Sequence, residues 1–477
     1  MKEMKKIKLT SKIKYIYFMS IYVLLLFFVI SQINLQIFNS WICSISWIIV
    51  FNLLVNLYFI KKLKISFFSM INFFLIFLYL FHFGQILLMG LIPAYKFSNF
   101  NYIKIMNVEI LKKTVFICIQ FINFFLLGII LLKKEIIIKK NISKQYDNLE
   151  KINKLNLLKK VGWTFIIISF PIQIYIDSSN LVSAFLGGYR STFSSKLPGL
   201  IGAIGYFLFT GVGILIIAYK NKKRKSKTIF FGTILYLLGT MLTGNRGHQV
   251  VTIIVLIYLY VKLNMNINIK FCYRMLIIAF LGMVFINVIY DMRGHGINYF
   301  FNNMNILIVE QIKSNPFLEL IESFGETIYT PYLVVQKIDK IIQPTYGKTY
   351  IYSLVSILPN IGGAFTNINN SAAFQKMLNV PVIGGSFLGE VFYNFKYIGF
   401  FVMIILGGIL GRISEKLEIS FIKKNYINII YIIPVFINTL WWVRDSFSYI
   451  VRPIIWQWIL MYFLIKIFKK RRRKSVR

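Results

Sequence analysis

The feature that most constrains this chain is a series of apolar segments, each long enough to cross a lipid bilayer. A helix needs about 20 apolar residues to cross the hydrocarbon core. Such segments recur along all 477 residues, 57% of which are hydrophobic. Backbone groups in lipid must bond within their own segment, so each long apolar run is predicted to be a helix. The sequence predicts an all-α polytopic integral membrane protein with about twelve transmembrane helices.

The predicted spans divide into nine before a long polar stretch and three after it. They occupy residues 15–31, 41–60, 66–91, 111–132, 161–177, 200–219, 228–243, 248–263, 274–290, 397–411, 426–443 and 453–468. This pattern predicts three regions along the chain. They are helices 1–9 within residues 1–290, one large extracytoplasmic loop at 291–396, and helices 10–12 with a basic cytoplasmic tail at 397–477.

The distribution of basic residues predicts the orientation. The chain has 55 Lys and Arg against 16 Asp and Glu, a net charge of +39. Cytoplasmic segments are expected to hold most of the Lys and Arg. If both termini are cytoplasmic, the inner segments are the basic ones, including the tail Lys469–Arg477. The basic residues lie in short clusters between apolar runs, which favours contact with anionic membrane lipid over nucleic acid.

The polar stretch at 291–396 differs from the rest of the chain. It holds seven of the sixteen acidic residues and half of the ten prolines, and its charges nearly balance. It also contains apolar helical stretches at 306–312 and 317–328. The composition indicates a folded cap that lies against the membrane, not a flexible linker.

Five arginines depart from the orientation rule, because they fall at the outer ends of predicted spans. They are Arg190, Arg246, Arg293, Arg444 and Arg452. The guanidinium stays protonated and binds phosphate or carboxylate with a bidentate fork. Glycines beside three of the five would let a ligand approach the backbone closely. The set predicts a site for an anionic, phosphorylated substrate outside the cell, and the alternative is that these arginines anchor the helices at the interface.

Acidic and histidine side chains on the same side could act on such a substrate. Glu319, Glu322 and Glu326 are spaced to share one helix face. Glu322 or Glu326 could serve as a general base, although a solvated helix face is the alternative. His248 and His295 accompany arginines in outer turns and could be an acid, a base or a phosphate donor.

The other acidic residues have simpler predicted roles, and no metal or cofactor is predicted. Glu390 is expected to pair with an outer arginine, and Asp445 to neutralise the adjacent Arg444. The three cysteines and three histidines show no metal-binding spacing, so no metal is predicted. The sequence also contains no P-loop or nucleotide fingerprint, so no cofactor is expected.

Several of these segments together resemble the Wzy-type O-antigen and capsule repeat-unit polymerases. The segments that carry the resemblance are Thr243–Gly247, Glu322–Thr327, Tyr346–Tyr350, Ser353–Pro359 and Gly384–Glu390 followed by Tyr393–Phe395. They cover roughly residues 187–452. The resemblance implies a GT-C-like membrane glycosyltransferase of the bacterial inner membrane, with a chain-length regulator protein as a partner.

The resemblance also implies a reaction. Such enzymes take a growing glycan on undecaprenyl pyrophosphate and transfer it to a new lipid-linked repeat unit. Arg190, Arg246 and Arg293 would then bind the pyrophosphates, and Glu326 or Glu322 would orient or deprotonate the acceptor hydroxyl. Leaving-group charge on a lipid pyrophosphate needs cationic stabilisation, which arginines can supply in place of a metal.

Three other functions fit parts of the pattern. A lipid-linked oligosaccharide flippase would bind the same carrier, but its cations are expected in a cavity that crosses the bilayer. An O-antigen ligase would use the same donor and a different acceptor, and the residues alone do not separate it from a polymerase. An ion or solute transporter is disfavoured, because the predicted spans lack the acids that proton coupling requires.

Overall fold

The computed structural model is all-helical throughout the residues it describes. These residues are 15–16, 18–27, 29–30, 38–97, 100–132, 148–187, 199–243, 247–264, 280–289, 296–313, 315–360, 363–380 and 383–475. In the first part of the chain the helices are α1 (Phe18–Phe27), α2 (Phe38–Lys62), α3 (Met70–Leu91), α4 (Val108–Leu132), α5 (Asn148–Gly187), α6 (Gly199–Gly205), α7 (Phe207–Ala218), α8 (Lys223–Met241), α9 (Gly247–Asn264) and α10 (Phe280–Ile289).

The second part of the chain continues the helical pattern. Its helices are α11 (Gly296–Lys313), α12 (Pro316–Gly325), α13 (Tyr329–Lys337), α14 (Lys348–Val355), α15 (Thr366–Ala372), α16 (Phe387–Phe395), α17 (Gly399–Ile422), α18 (Tyr426–Trp442) and α19 (Phe447–Ser475). The region predicted as a large loop therefore contains helices α11 to α16. Which side of a membrane these helices occupy stays a prediction.

Eight helical segments in the described part of the chain are long and apolar enough to cross a membrane. They are Phe38–Lys62, Met70–Leu91, Val108–Leu132, Lys154–Leu186, Ile201–Ala218, Gly247–Asn264, Phe387–Ile422 and Phe447–Lys470. Helices α1, α10 and α18 are apolar but shorter. Helix α8 begins with the basic run Lys223–Lys227 and is not among the eight. The chain is thus a multi-pass membrane protein, and the count of twelve spans stays a prediction.

The closest helix contact joins α4 to α17 through glycines. A Cβ atom placed on Gly407 would lie 1.9 Å from the backbone oxygen of Phe125, and one on Gly128 would lie 2.0 Å from that of Ile404. Lipid supplies no hydrophobic force between helices, so small residues that allow such close approach hold membrane helices together. These glycines therefore fix the distance between α4 and α17.

A buried amide cluster joins α1 to α4 inside the apolar core. Asn52 Nδ2 donates to the Tyr22 hydroxyl at 2.7 Å and to Asn123 Oδ1 at 3.1 Å. Asn56 Nδ2 donates to the Tyr79 hydroxyl at 2.7 Å. Polar side chains in this setting hold helices together because their alternative is an unbonded group in hydrocarbon.

Helix α3 positions the functional site, and most of its residues are buried among other helices. Helices α2, α4, α12, α17 and α18 all pack against it. At its C-terminal half, a Cβ on Gly84 would lie 2.3 Å from the Ile321 oxygen, and one on Gly325 would lie 2.2 Å from the Gln85 nitrogen. Helix α12 therefore crosses α3 with the two backbones in contact.

We expect Gly407→Ala to destabilise the fold, because its methyl group would overlap the Phe125 carbonyl. Overpacking of this kind typically costs about 1–3 kcal/mol. Thermal unfolding and the yield of monodisperse protein in detergent measure the effect. Gly239→Ala is the matched control, since no heavy atom lies within 4 Å of its added Cβ. Equal stability of the two variants would contradict the close α4–α17 contact.

Candidate functional site

The described site residues gather where the C-terminal half of α3 meets three other segments. These segments are α12, the start of α16 and the α18–α19 turn at Val443–Ser446. The four segments touch directly: a Cβ on Gly385 would lie 2.4 Å from the carbonyl carbon of Asp445. Phe387 N also donates to Val443 O at 3.3 Å. Nothing in the sequence pattern indicated that these four segments meet.

Arg444 occupies the middle of this junction. Its guanidinium carbon lies 5.7 Å from the centre of the Phe81 ring and 6.0 Å from that of Trp441. Cations bind aromatic faces at such distances. Among the described residues, Arg444 forms no ion pair with a carboxylate. We call Arg444 with the rings of Phe81 and Trp441 the Arg444 shelf. It presents a partly exposed guanidinium that can receive an anion.

Asp445 bonds to its surroundings and not to Arg444. Trp441 Nε1 donates to its Oδ2 at 2.8 Å, and Ser446 N donates to Oδ1 at 2.8 Å. Burial raises the pKa of Asp445 to about 6, although these hydrogen bonds and the Arg444 charge oppose the rise. Asp445 forms no direct ion pair with Arg444 in the described part of the chain, but the two charges interact, and the predicted neutralisation of Arg444 stays a prediction. Asp445 also fixes the indole that supports Arg444.

Glu390 is fully buried beside the shelf. Trp442 Nε1 donates to its Oε2 at 3.0 Å, and Phe447 N donates to the same oxygen at 2.9 Å. Among the described residues no arginine pairs with Glu390. Arg190, Arg246 and Arg293 lie outside the described residues, so the expected pairing with an outer arginine stays a prediction. The described partners of this carboxylate are an indole and a helix N-terminus. Its role in the fold is to tie α16 to the start of α19.

His82, which the sequence did not assign to the site, anchors the start of α16. His82 Nδ1 lies 2.9 Å from the Leu78 carbonyl, so this nitrogen must be the donor. Nε2 of the neutral ring then accepts from the Ser386 hydroxyl at 2.8 Å. Ser386 Oγ in turn accepts from Gly389 N at 3.1 Å and caps the helix. A histidine in an apolar segment was the only available signal.

His248 lies close to the Arg444 shelf, as its predicted role requires. Its ring centre is 5.9 Å from that of Trp441 and 4.5 Å from that of Tyr206. Gly247 makes the approach possible, since a Cβ there would lie 2.5 Å from the Trp441 ring. The structure thus brings His248 and Arg444 together through one indole.

Arg452 is held by the protein itself. Its Nε donates to the Ser356 carbonyl at 2.5 Å, and its Nη2 donates to Asn369 Oδ1 at 3.3 Å. These bonds tie α19 to the C-terminal end of α14 and to α15. Its predicted role in substrate binding stays a prediction. The remaining predicted site residues, Arg190, Arg246, Arg293 and His295, lie outside the described residues.

The candidate bases lie on and just after α12, next to the shelf. Glu319 and Glu322 are 6% and 0% exposed, so the alternative of a solvated helix face is wrong for both. The Tyr95 hydroxyl donates to Glu322 Oε2 at 2.7 Å. Phe324 stacks on Phe81 with ring centres 4.6 Å apart, which connects α12 to the Arg444 shelf.

Glu326 faces a different part of the same junction. Burial raises the pKa of Tyr102, and the nearby Glu326 carboxylate adds to this shift. Glu326 is half-buried, whereas Glu322 is fully buried. Both carboxylates therefore lie against the segment that joins α3 to α4. The sequence could not show this, because Tyr95 and Tyr102 are more than 200 positions away.

Acids inside the candidate spans were missed by the sequence analysis. Asp177 lies within Lys154–Leu186, where it accepts from Gln173 Nε2 at 3.0 Å and from the Tyr236 hydroxyl. Glu418 lies within Phe387–Ile422 and pairs with Lys262 at 2.9 Å. Asp177 ends the predicted span 161–177, whereas Glu418 lies beyond the predicted span 397–411, and the expectation about acids for proton coupling stays a prediction. These acids bond to neighbouring helices, which is how membrane proteins retain them.

Among the described residues, no three His, Cys, Asp or Glu side chains group closely enough to hold a metal ion. The arrangement instead offers a guanidinium for an anion and a buried carboxylate for proton transfer. Comparison with known proteins gives one match. The family model for O-antigen polysaccharide polymerase Wzy matches residues 15–475. No curated protein and no solved structure matches the chain.

We expect Asp445 to make stability depend on pH. Its folded pKa of about 6 exceeds the ordinary 3.8, so the folded state binds the proton more tightly than the unfolded state. The contribution of this protonated carboxyl to folding stability is fully present below about pH 4 and is lost as the pH rises to about 6. Two pKa units correspond to at most about 3 kcal/mol.

Thermal unfolding of the protein in nanodiscs between pH 4 and 7 measures this dependence. Asp445→Asn should remove part of the fall in folding stability between pH 4 and 6. Glu310→Gln, at an exposed position, is the control and should leave the profile unchanged. An Asp445→Asn profile that overlays the wild type would refute the raised pKa.

Proposed function

We propose, from the premise that the chain belongs to the O-antigen polysaccharide polymerase Wzy family, that it joins undecaprenyl-pyrophosphate-linked repeat units into O-antigen or capsular polysaccharide. The family acts on lipid-linked oligosaccharide repeat units in membranes. We place the reaction at the outer face of the bacterial inner membrane, with both termini cytoplasmic. A chain-length regulator protein is the proposed partner.

The observation that carries the proposal is the Arg444 shelf. Its guanidinium is half-buried, has no described carboxylate as an ion-pair partner, and rests on two aromatic rings. A lipid pyrophosphate that leaves during glycosyl transfer gains negative charge. A fixed cation next to its oxygens stabilises this charge more in the transition state than in the ground state.

With the donor bound at the Arg444 shelf, each neighbouring residue has a proposed role. Arg444 would contact the pyrophosphate, and His248, whose ring packs against Trp441, remains a proposed ligand for the same anion. Arg190, Arg246, Arg293 and Arg452 remain proposed ligands for the same anionic groups. Because guanidinium groups can neutralise the leaving group, we propose a reaction that needs no metal or other cofactor.

The proposed general base is Glu322, with Glu326 as the second candidate and His295 as a third catalytic residue. Phe324 lies two residues after Glu322 and stacks on Phe81 of the Arg444 shelf. Phe81 of α3 thus contacts both the guanidinium of Arg444 and Phe324 of α12, the helix that carries Glu322. A base for the acceptor and a separate cation for the leaving group would support displacement at a sugar carbon.

We expect Arg444→Ala to abolish polymerisation. Loss of one preorganised charge-stabilising group typically costs about 100-fold or more in rate. The test uses a host that carries the matching biosynthetic cluster but lacks this protein, complemented with each variant. Gel analysis of lipid-linked and surface glycan reports chain length. Arg444→Lys should restore part of the ladder, since it keeps the charge but not the fork.

Arg224→Gln, at an exposed position on the predicted inner side, is the matched control and should give a full ladder. All variants are checked for their level in the membrane. A full ladder from Arg444→Ala would refute the role of the shelf. Single repeats that accumulate facing the cytoplasm in the deletion would indicate a flippase, and long polymer that stays on its lipid would indicate a ligase.

We expect Glu322→Gln to lower the polymerisation rate by about 100-fold or more, because the amide cannot accept a proton. The substitution keeps the shape of the side chain and an oxygen that can accept from Tyr95. Initial rates with purified protein in nanodiscs measure the effect, and EDTA should leave the wild-type rate unchanged. Glu310→Gln is the control, and wild-type activity of Glu322→Gln would move the base to Glu326 or His295.

A further inference from the structure

A cavity lies in the segment that joins α3 to α4, outside the Arg444 shelf. Its volume is about 580 Å³, within the range of about 300–1,000 Å³ that small-ligand sites occupy. Its lining includes Tyr95, Lys96, Phe97, Phe100, Asn101 and Lys104. We call it the α3–α4 cavity. The donor site proposed above uses none of these side chains.

The polar groups of the α3–α4 cavity favour an anionic ligand. Lys96 and Lys104 are exposed, and neither pairs with a carboxylate in the described part of the chain. Asn101 Oδ1 accepts from Ile103 N at 3.0 Å, which fixes the orientation of the amide. The amide nitrogen of Asn101 is then buried with no hydrogen-bond partner among the described residues. Buried donors are nearly always bonded, so this one calls for an acceptor atom from a ligand.

The aromatic groups of the cavity suit a sugar. The ring centres of Tyr95 and Phe97 lie 5.3 Å apart, nearly perpendicular at 72°. Phe100 is 56% exposed at the cavity wall. Aromatic rings beside hydrogen-bonding groups offer a sugar both its apolar face and its hydroxyls a partner. Together, these rings and the ammonium groups of Lys96 and Lys104 favour a saccharide that carries a negative charge.

The cavity is connected to the proposed base by Tyr95. Glu322 is 0% exposed, so a substrate hydroxyl cannot reach it directly. Tyr95 lines the cavity, and its hydroxyl donates to Glu322 Oε2 at 2.7 Å. Gln85 of α3 holds the segment in place, since its Nε2 donates to Phe100 O at 3.0 Å and its Oε1 accepts from Tyr102 N at 3.2 Å.

We propose that the α3–α4 cavity is the acceptor site and that Tyr95 passes the acceptor proton to Glu322. This inference rests on the proposed polymerase function. The acceptor is the substrate whose hydroxyl must reach the base, so the cavity next to the base holds the acceptor. Lys96 and Lys104 bind its negative charge, which is either its pyrophosphate or an acidic sugar. The donor pyrophosphate lies at the Arg444 shelf.

In the proposed transfer step, the acceptor oxygen forms a bond to the anomeric carbon of the donor sugar. The bond from that carbon to the pyrophosphate oxygen breaks. The bonding pair leaves with the lipid pyrophosphate next to Arg444. The acceptor hydroxyl gives its proton to the Tyr95 oxygen, while the Tyr95 proton moves to Glu322. Tyr95 ends unchanged, and Glu322 ends protonated until the proton returns to solvent through the Tyr95 hydroxyl.

The test is a two-substrate assay with the full chain in nanodiscs. The donor is polymer on undecaprenyl pyrophosphate at saturation, and the acceptor is a single repeat unit on farnesyl pyrophosphate, which is titrated. Lys96→Gln with Lys104→Gln should raise the acceptor KM at least about tenfold, which corresponds to loss of about one charge-assisted contact, and leave kcat unchanged. Lys340→Gln with Lys348→Gln, two exposed lysines outside the cavity, is the matched control and should change neither.

Tyr95→Phe should have the opposite effect on the two constants, lowering kcat and leaving the acceptor KM unchanged. The ring still fills the cavity wall, so the acceptor KM should stay near wild type, while kcat falls by about 100-fold because the proton relay is lost. A wild-type kcat in Tyr95→Phe would overturn the relay. An unchanged acceptor KM in the double lysine variant would overturn the acceptor site.

Competition identifies the charge that the lysines bind. Inorganic pyrophosphate and the free repeat-unit glycan are each added as competitors of the acceptor. The one that raises the apparent acceptor KM of the wild type, but not of the double lysine variant, carries the recognised group. If neither competes, the cavity does not bind an anion and the inference fails. Failure of the wild type to extend any acceptor would instead refute the polymerase function itself.

Discussion

The crossing of α3 and α12 is the contact on which the candidate site depends. Gly84 and Gly325 let the two backbones touch, because a Cβ on either would lie within about 2.5 Å of a backbone atom of the other helix. Real Cβ contacts do not occur at such distances, so no larger residue fits without separating the helices. The crossing sets Glu322 against Tyr95 and Phe324 against Phe81.

From that crossing, one turn of α3 connects two chemically different groups. Phe81 supports the Arg444 guanidinium, and Gln85, four residues later on the same helix, holds the segment that contains Tyr95. A cation for a leaving group and a carboxylate for a proton must be separate, because a direct ion pair would cancel both. Rigid α3 packing keeps them apart and in register, which is the preorganisation that charge-stabilising catalysis needs.

The surrounding polar contacts hold the backbone of this junction. His82 bonds Ser386, Glu390 bonds Trp442 and Phe447, and Asp445 bonds Trp441. Each of these side chains is polar in an apolar setting, where an unbonded group is costly. Among the described residues, Glu390 and Asp445 therefore bond to indoles and backbone groups and form no direct ion pair with Arg444. A neighbouring anion within ion-pair distance would compete with substrate for Arg444.

The sequence by itself determined the helical, membrane-spanning class, because apolar runs in lipid can satisfy their backbone groups only within helices. It also singled out Arg444, His248 and Glu322 by residue type, since a charge near a span end is costly to keep without a use. Only the tertiary structure decided that Glu322 is buried, that Glu390 and Asp445 bond indoles, and that Arg452 binds Ser356. Only it brought Tyr95 to Glu322. Such contacts join residues hundreds of positions apart, and helix periodicity carries no information about which faces will meet.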